Sequence, residues 1–241
     1  MLGISNSRRR PSRDEGEKPF WITFSDLMTA LMVLFLVAMA VALMAVTQKQ
    51  QQIDQTIKLR DRTIESCVAD VREVTKRPQF RGITISGYSV DFGTLVQFDN
   101  SKHTFEAASD EHLIRQFIPE VLKIARAQKC QKWLKRVVVE GFASRTGNYL
   151  DNLNLSYLRS QRVLCALLNT RTADALNEND RRMIQRLFLA GGSSFNTAVT
   201  DDPARMRRVE IRLEFREFNS KPESSPDIPL DPGLTCPNDL R

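Results

Sequence analysis

The feature that most constrains this chain is an apolar stretch of about 27 residues whose one ionisable side chain is Asp26. The stretch runs from Phe20 to Val46 and would be about 40 Å long as an α-helix, which is enough to cross a bilayer. It is longer than the apolar core of a secretory signal, so we interpret it as an uncleaved anchor. Because the sequence has no second stretch of this length, a polytopic transporter is excluded.

Changes in composition divide the sequence into a basic stub (1–18), a transmembrane helix (19–46), a polar helical stalk (47–77), an α/β domain (78–218) and a proline-rich, disordered tail (219–241). The run Arg8–Arg10 indicates that the stub stays in the cytoplasm, because positively charged flanks are retained there. Everything after the span is then expected on the opposite side of the membrane. Pro19 is suited to the first turn of the spanning helix.

The formal charge of +6 does not indicate a nucleic-acid partner. Apart from Arg8–Arg10, the basic residues are dispersed among acidic ones, and no zinc-finger, basic-zipper or aromatic-interleaved basic pattern is present. The sequence also has no P-loop and no dinucleotide-binding fingerprint. We therefore predict no enzymatic activity, no cofactor, no metal site and no direct contact with nucleic acid.

Asp26 lies about 10 Å into the apolar helix, too deep for its short side chain to reach bulk water easily. An acid at such a depth costs about 2.5–3.5 kcal/mol on insertion scales and is rarely present without a function. Thr23, Ser25 and Thr29 form a polar stripe around it, and no Lys or Arg in the stretch could neutralise it. The pattern favours a carboxyl that takes up and releases an ion. The alternative is an acid that is hydrogen-bonded to a partner helix.

The run Trp21–Phe35 resembles the transmembrane helix of MotB-type stator subunits, which carry a Trp five residues before the ion-carrying Asp. This resemblance implies that Asp26 translocates the ion, supported by Trp21, Ser25 and Thr29. It also implies a homodimer of such helices inside a pentamer of a MotA-like partner in the bacterial inner membrane. Ion flow past Asp26 would rotate the pentamer. We expect a proton, and sodium stays open because the partner supplies the rest of the site.

Apolar positions in the stalk alternate at four- and three-residue spacing, which is typical of a two-stranded parallel coiled coil. The seam positions are Ile53, Ile57, Arg60, Ile64, Cys67, Val71 and Val74. A helix lying against the next domain, or a plug like that of flagellar stators, is the alternative. In a coiled coil, Cys67 would meet its symmetry mate, so an intersubunit disulfide is conceivable. Under the expected topology all four cysteines lie on the oxidising side of the membrane, where disulfides can form: Cys67, Cys130, Cys165 and Cys236.

Short strands and helices alternate in the segment 78–218, which favours an α/β sandwich of one sheet and one helical layer. The predicted elements are strands at 83–85 and 95–98, a helix at 110–127, a strand at 136–142, a helix at 152–168, a helix running into a strand at 182–189, and a strand at 207–215.

Three blocks of this segment, at 138–147, 152–159 and 207–210, resemble the peptidoglycan-binding domain of the OmpA-like family. The resemblance implies a β-α-β-α-β-β fold in the periplasm. It also implies a pocket that holds the diaminopimelate of the wall peptide between an Asp, for the ammonium group, and an Arg, for the carboxylate.

Arg159 stands at the Arg position of this pattern, with Asn152, Leu155 and Ser156 as its neighbours. The Asp position is filled by Ser144, whose hydroxyl supplies no charge. We therefore expect that Asp151 or Glu140 replaces the missing acid, that binding is weaker, or that the domain contacts another part of the wall.

The short chain, the continuous helical stalk and the departure at Ser144 make the whole sequence resemble the B subunits of Zorya anti-phage defence systems. This resemblance implies a proton-driven, wall-anchored stator that serves defence. A flagellar stator subunit and a passive wall anchor without ion translocation are the alternatives.

Overall fold

The computed structural model describes residues 18–196, 202–218 and 220. The chain forms two compact units, Met1–Ile57 and Lys58–Arg241. The proline-rich tail except Ser220, and the basic stub except Lys18, lie outside the described residues, and so does Cys236.

The first helix, α1, extends over Lys18–Thr75. It contains an 18-residue window of mean hydropathy 2.7, and it is the one helix in the described part of the chain that is long and apolar enough to cross a membrane. The large apolar side chains from Phe20 to Val46 are exposed, as expected for a surface that faces lipid or other chains. This confirms the predicted anchor helix.

The last part of α1 belongs to the second unit. Ile64, Cys67, Val68, Val71 and Val74 are all at most 5% exposed. Cys67 forms a disulfide with Cys130 of the same chain. This stripe therefore packs on the chain's own α/β domain, which was the alternative to the coiled coil.

This packing bears on two expectations from the sequence. The sequence predicts a helical stalk over 47–77, either a coiled coil or a helix lying against the next domain, and the helix from Lys58 onward is part of the compact α/β unit. The sequence also allows an intersubunit disulfide at Cys67, and this is corrected, because the thiol is already paired within the chain. The physical reason is that an apolar stripe on a helix is buried equally well by a second helix or by a domain surface.

A five-stranded mixed sheet with strand order β1-β2-β5-β3-β4 forms the second unit. Its strands are β1 (Thr84–Ser86), β2 (Ser89–Asp91), β3 (Leu134–Gly141), β4 (Phe188–Gly192) and β5 (Val209–Phe215). The helices are α2 (Ala108–Arg126), α3 (Gln128–Gln131), α4 (Tyr149–Leu168), α5 (Glu178–Leu187) and α6 (Pro203–Met206). β3 pairs in parallel with β4 and antiparallel with β5.

The predicted α/β order is confirmed: β2, α2, β3, α4, β4 and β5 follow one another as β-α-β-α-β-β, and β1 precedes them. The predicted strand at 95–98 is wrong. Gly87, at φ +56°, closes a tight hairpin, so the second strand forms earlier, at Ser89–Asp91. Residues Gly93–Leu95 form a 3₁₀ turn, and Phe98 makes only an isolated bridge to Phe105.

The hydrophobic core lies between one face of the sheet and the helices. Alternation along β3 and β5 directs Val137, Val139, Ile211 and Leu213 into this core. The opposite face carries paired charges, such as Arg136 with Glu214 and Arg212 with Glu140. The loop that joins β3 to α4 lies at one end of the sheet, and the predicted wall-binding residues lie in this loop and on α4.

Candidate functional site

Asp26 lies on the exposed part of α1, and within the described residues its carboxylate has no hydrogen-bond or ion-pair partner. The nearby hydroxyls are used locally: Thr29 Oγ1 donates to the Asp26 carbonyl at 2.9 Å, and Thr23 Oγ1 donates to the Phe20 carbonyl at 3.0 Å. Trp21 is 70% exposed and meets the Phe20 ring edge-on. Ser25 is exposed beside Asp26. Whatever compensates this carboxylate in a membrane must come from outside the described residues.

The structure brings Ser144 and Asn152 together around Thr146. The hydroxyls of Ser144 and Thr146 are 2.9 Å apart, and Asn152 Nδ2 donates to the Thr146 carbonyl at 2.8 Å. Asn148 caps α4, because its side chain accepts from the Asp151 backbone N–H at 2.8 Å. The loop after β3 is therefore held by the first turn of α4.

Ser156 presses α4 against the ends of two strands. A Cβ atom on Gly141 would lie 2.0 Å from the Ser156 carbonyl oxygen, and one on Gly192 would lie 2.6 Å from Ser156 Oγ. The hydroxyl accepts from the Ser194 backbone N–H at 3.0 Å, and the residue is fully buried. Ser156 thus holds the site together from inside, while Leu155 is half-buried beside it.

Arg159 is fully buried, and its guanidinium is held by three main-chain carbonyls. It donates from Nε to Lys102 at 3.1 Å, from Nη1 to Phe142 at 2.8 Å and from Nη2 to Asp99 at 3.3 Å. The guanidinium carbon also lies 5.4 Å from the centre of the Phe98 ring. Burial, reinforced by the charge of Arg207, lowers the pKa of Arg159 to about 10. The side chain is therefore still a cation at neutral pH.

Arg159 and Ser144, the predicted pair of ligand-binding residues, both lie near the end of β3, but neither side chain is open to solvent. Arg159 directs its N–H groups at backbone oxygens and presents no solvent-facing edge for a carboxylate. Ser144 is 7% exposed, and its hydroxyl is hydrogen-bonded to Thr146. The arrangement joins the segment around Asp99 and Lys102 to the end of β3.

Neither acid that could replace the missing Asp lies free beside Ser144. Glu140 is on the helix-free face of the sheet, where it pairs with Arg212 at 3.0 Å and accepts a hydrogen bond from Ser193. Asp151 is exposed, and its carboxylate accepts from the Asn148 side chain at the start of α4.

Sequence reasoning missed the residues that surround Arg159. Its partners are carbonyl groups, which any residue supplies, so no side-chain pattern in the sequence points to them. It also gave no role to the exposed tyrosines on α4, of which Tyr149 precedes the Asn152–Arg159 block and Tyr157 lies within it.

Comparison with known proteins identifies the family of the chain. Residues 6–58 match the family described as "Membrane MotB of proton-channel complex MotA/MotB". Zorya protein ZorB of Escherichia coli O139:H28 (strain E24377A / ETEC) is 36% identical over 236 residues, which cover 96% of this chain and 95% of the relative. The chain belongs to the ZorB family. It is a MotB-type inner-membrane protein, and the one candidate spanning helix among its described residues is followed by an α/β domain.

Several solved structures are similar to about half of this chain. The OmpA-like domain of FopA1 from Francisella tularensis subsp. tularensis SCHU S4 covers 56% of this chain and 82% of its own, at 20% identity and a TM-score of 0.35. A periplasmic domain of Helicobacter pylori MotB covers 54% and 78%, at 15% identity and a TM-score of 0.39. The cell wall anchor of the T6SS from Pseudomonas aeruginosa covers 53% and 81%, at 21% identity and a TM-score of 0.35.

Proposed function

We propose that this chain is the stator subunit of a proton-driven rotary motor that is anchored to peptidoglycan and serves anti-phage defence. Its N-terminus lies in the cytoplasm and its OmpA-like domain in the periplasm. Two copies act inside a pentamer of a MotA-like membrane partner, and Asp26 carries the proton. The chain itself catalyses no reaction and needs no cofactor beyond the transported ion.

The observation that carries this proposal is the carboxylate of Asp26 in an exposed apolar helix, where it has no partner among the residues that the structure describes. A charge that crosses the membrane releases about 2.3 kcal/mol per 100 mV. Protonation neutralises Asp26, so its preferred surroundings change with each proton that it takes up or releases. A MotA-like partner that offers two such surroundings would convert this alternation into rotation.

A rotating partner needs a fixed counterpart, and the second unit supports that role. The end of α1 is held in the α/β domain by buried Ile64 and Val71, by the disulfide Cys67–Cys130, and by the ion pair of Lys129 with Asp70 at 2.6 Å. An α/β domain that binds the wall would therefore also fix the C-terminal part of α1 that packs within it. This is what a stator requires.

The experiment that tests the proposal is phage plating on cells that carry the whole operon, with Asp26→Asn compared with the parent. Asn keeps the shape and hydrogen bonding of the side chain but cannot release a proton. Asp54→Asn is the matched control, because Asp54 is an exposed acid on the same helix beyond the apolar stretch.

We expect Asp26→Asn to abolish protection at an unchanged protein level and Asp54→Asn to retain it. Protection that survives Asp26→Asn would contradict ion translocation and leave a passive wall anchor. If the parent operon gives no protection, the defence role is wrong, and a motility assay of the same variants decides whether the stator is flagellar.

A further inference from the structure

This inference deepens the proposed wall anchoring and rests on it. Neither Arg159 nor Ser144 can form an ion pair with a wall peptide in this structure. Arg159 is enclosed by backbone carbonyls, and Ser144 carries no charge. If the domain grips the wall, exposed groups near the same helix must make the contact.

An aromatic ledge lies beside this closed pair; we define it as Tyr149, Leu153 and Tyr157 of α4 together with Phe195. Tyr149 is 42% exposed and Tyr157 is 45% exposed. They lie about 12 Å apart along the helix axis, within one stripe about 100° wide. α4 approaches the edge strand β4 here, since a Cβ on Gly192 would lie 2.7 Å from the Tyr157 backbone nitrogen. The ledge therefore runs along a rigid helix–strand edge.

Tyr149 is held in one orientation while much of its surface stays accessible. Its ring meets Phe195 edge-on at 5.7 Å, and its hydroxyl accepts from Asn196 Nδ2 at 3.1 Å. Its carbonyl accepts from the Ser194 hydroxyl at 3.2 Å. A ring fixed in this way loses little conformational freedom when a ligand covers it.

The chemistry of the ledge is neutral and amphipathic. Its four members carry no charge, and hydroxyl and amide groups at Tyr149, Tyr157 and Asn196 border the apolar surfaces. Such a surface suits a ligand with apolar C–H faces and hydroxyl or amide edges rather than a free ammonium or carboxylate group. Within a cell wall, the N-acetylated amino-sugar rings of the glycan strands have this character.

We propose that Tyr149 and Tyr157 form a subsite for the N-acetylhexosamine strand of peptidoglycan. The subsite begins one residue after the Asn148 cap and is continuous with the loop that carries Ser144 and Thr146. The domain then holds the wall by its glycan, with the closed Arg159 keeping the underlying scaffold in place.

The test is co-sedimentation of the full chain in detergent with intact sacculi and with peptide-free glycan strands. The variants are Tyr149→Ala, Tyr157→Ala, the double variant and the corresponding Phe variants. Tyr88→Ala is the matched control, because Tyr88 is the one tyrosine outside α4. It is 49% exposed and meets Phe215 edge-on at 5.2 Å.

We expect the parent to bind both materials and each Ala variant to bind about three- to tenfold more weakly, with the double variant weaker still. The Phe variants keep most of the affinity, and Tyr88→Ala keeps all of it. Equal thermal unfolding of the variants shows that they are folded.

The proposal is overturned if the double variant binds peptide-free strands like the parent, or if the parent binds sacculi only while the peptides are present. It is also overturned if the variants lose only self-association, which would make the ledge an interface between two copies. A parent chain that does not bind intact sacculi contradicts wall anchoring itself, and this result is distinct from the others.

Discussion

Asp26 and Arg159 are the two charged residues that the sequence motifs single out, and the structure treats them in opposite ways. Asp26 stands on an exposed helix surface, and no partner for its carboxylate lies in the described part of the chain. Arg159 is fully buried and satisfied by three carbonyls of its own chain. A charge that the fold leaves uncompensated is available for work on another molecule, whereas a charge compensated internally holds the fold.

The largest expected effect is that of Arg159→Ala on folding. The substitution empties a fully buried site and removes the side-chain donor of the Phe142, Lys102 and Asp99 carbonyls, of which only that of Asp99 also accepts from a backbone N–H, that of Lys102. We therefore expect the second unit to lose about 3–5 kcal/mol of stability. Thermal and urea unfolding of the full chain in detergent measures this. Arg162→Ala is the control, because Arg162 makes weak contacts, 4.0 Å to Glu111 and 6.0 Å to the centre of the Phe105 ring, so its loss should cost less than about 1 kcal/mol. If the two variants were equally stable, the claim that the buried charge of Arg159 holds the fold would be contradicted.

Removal of the disulfide comes next. Cys67 and Cys130 are 63 residues apart in sequence, and we expect Cys67→Ser with Cys130→Ser to cost about 2–4 kcal/mol. Non-reducing electrophoresis of the parent should show no Cys67-dependent dimer. A dimer band that disappears in Cys67→Ser would contradict the intrachain pairing and restore the coiled-coil interpretation.

A smaller effect is expected where α4 presses on β3. Gly141→Ala places a Cβ atom 2.0 Å from the Ser156 carbonyl oxygen, so the helix must shift, at a cost of about 1–3 kcal/mol. At Gly191→Ala, on the neighbouring strand, the nearest atom is Val138 Cγ1 at 3.7 Å, which is ordinary contact. We expect this control to unfold with the parent. If Gly141→Ala also does, then α4 is not tightly packed around the buried arginine.

The smallest effect concerns Asp174, whose pKa is lowered by a hydrogen bond with His112 at 2.7 Å and by the charge of Arg115. A lowered pKa means that the ionised form stabilises the fold above the unfolded-state pKa of about 4, and that this stability is lost as the pH falls further. Because the side chain is 30% exposed, the effect is small. Asp174→Asn should flatten the stability profile below about pH 4, and an unchanged profile would contradict the pairing.

The sequence predicts the spanning helix, the position of Asp26 and most strands and helices of the α/β domain. It could not tell whether the apolar stripe from Ile64 to Val74 is the seam of a coiled coil or a contact with the α/β domain, because both arrangements bury the same face of the helix. It misplaced the second strand because the sequence does not show which of the two glycines closes the hairpin. In the structure both Gly87 and Gly93 are at φ +56°, and Gly87 is the one that closes it. The enclosure of Arg159 was inaccessible, since its partners are backbone atoms from remote segments.

The most direct measurement of the central claim is cytoplasmic pH, followed with a ratiometric indicator in cells that carry the whole operon during phage challenge. If Asp26 carries protons, the cytoplasmic pH falls in cells with the parent or Asp54→Asn. It does not fall in cells with Asp26→Asn, although this variant has the same protein level and thermal stability as the parent. Equal acidification in Asp26→Asn and the parent would contradict the role of Asp26 as the ion-carrying carboxyl.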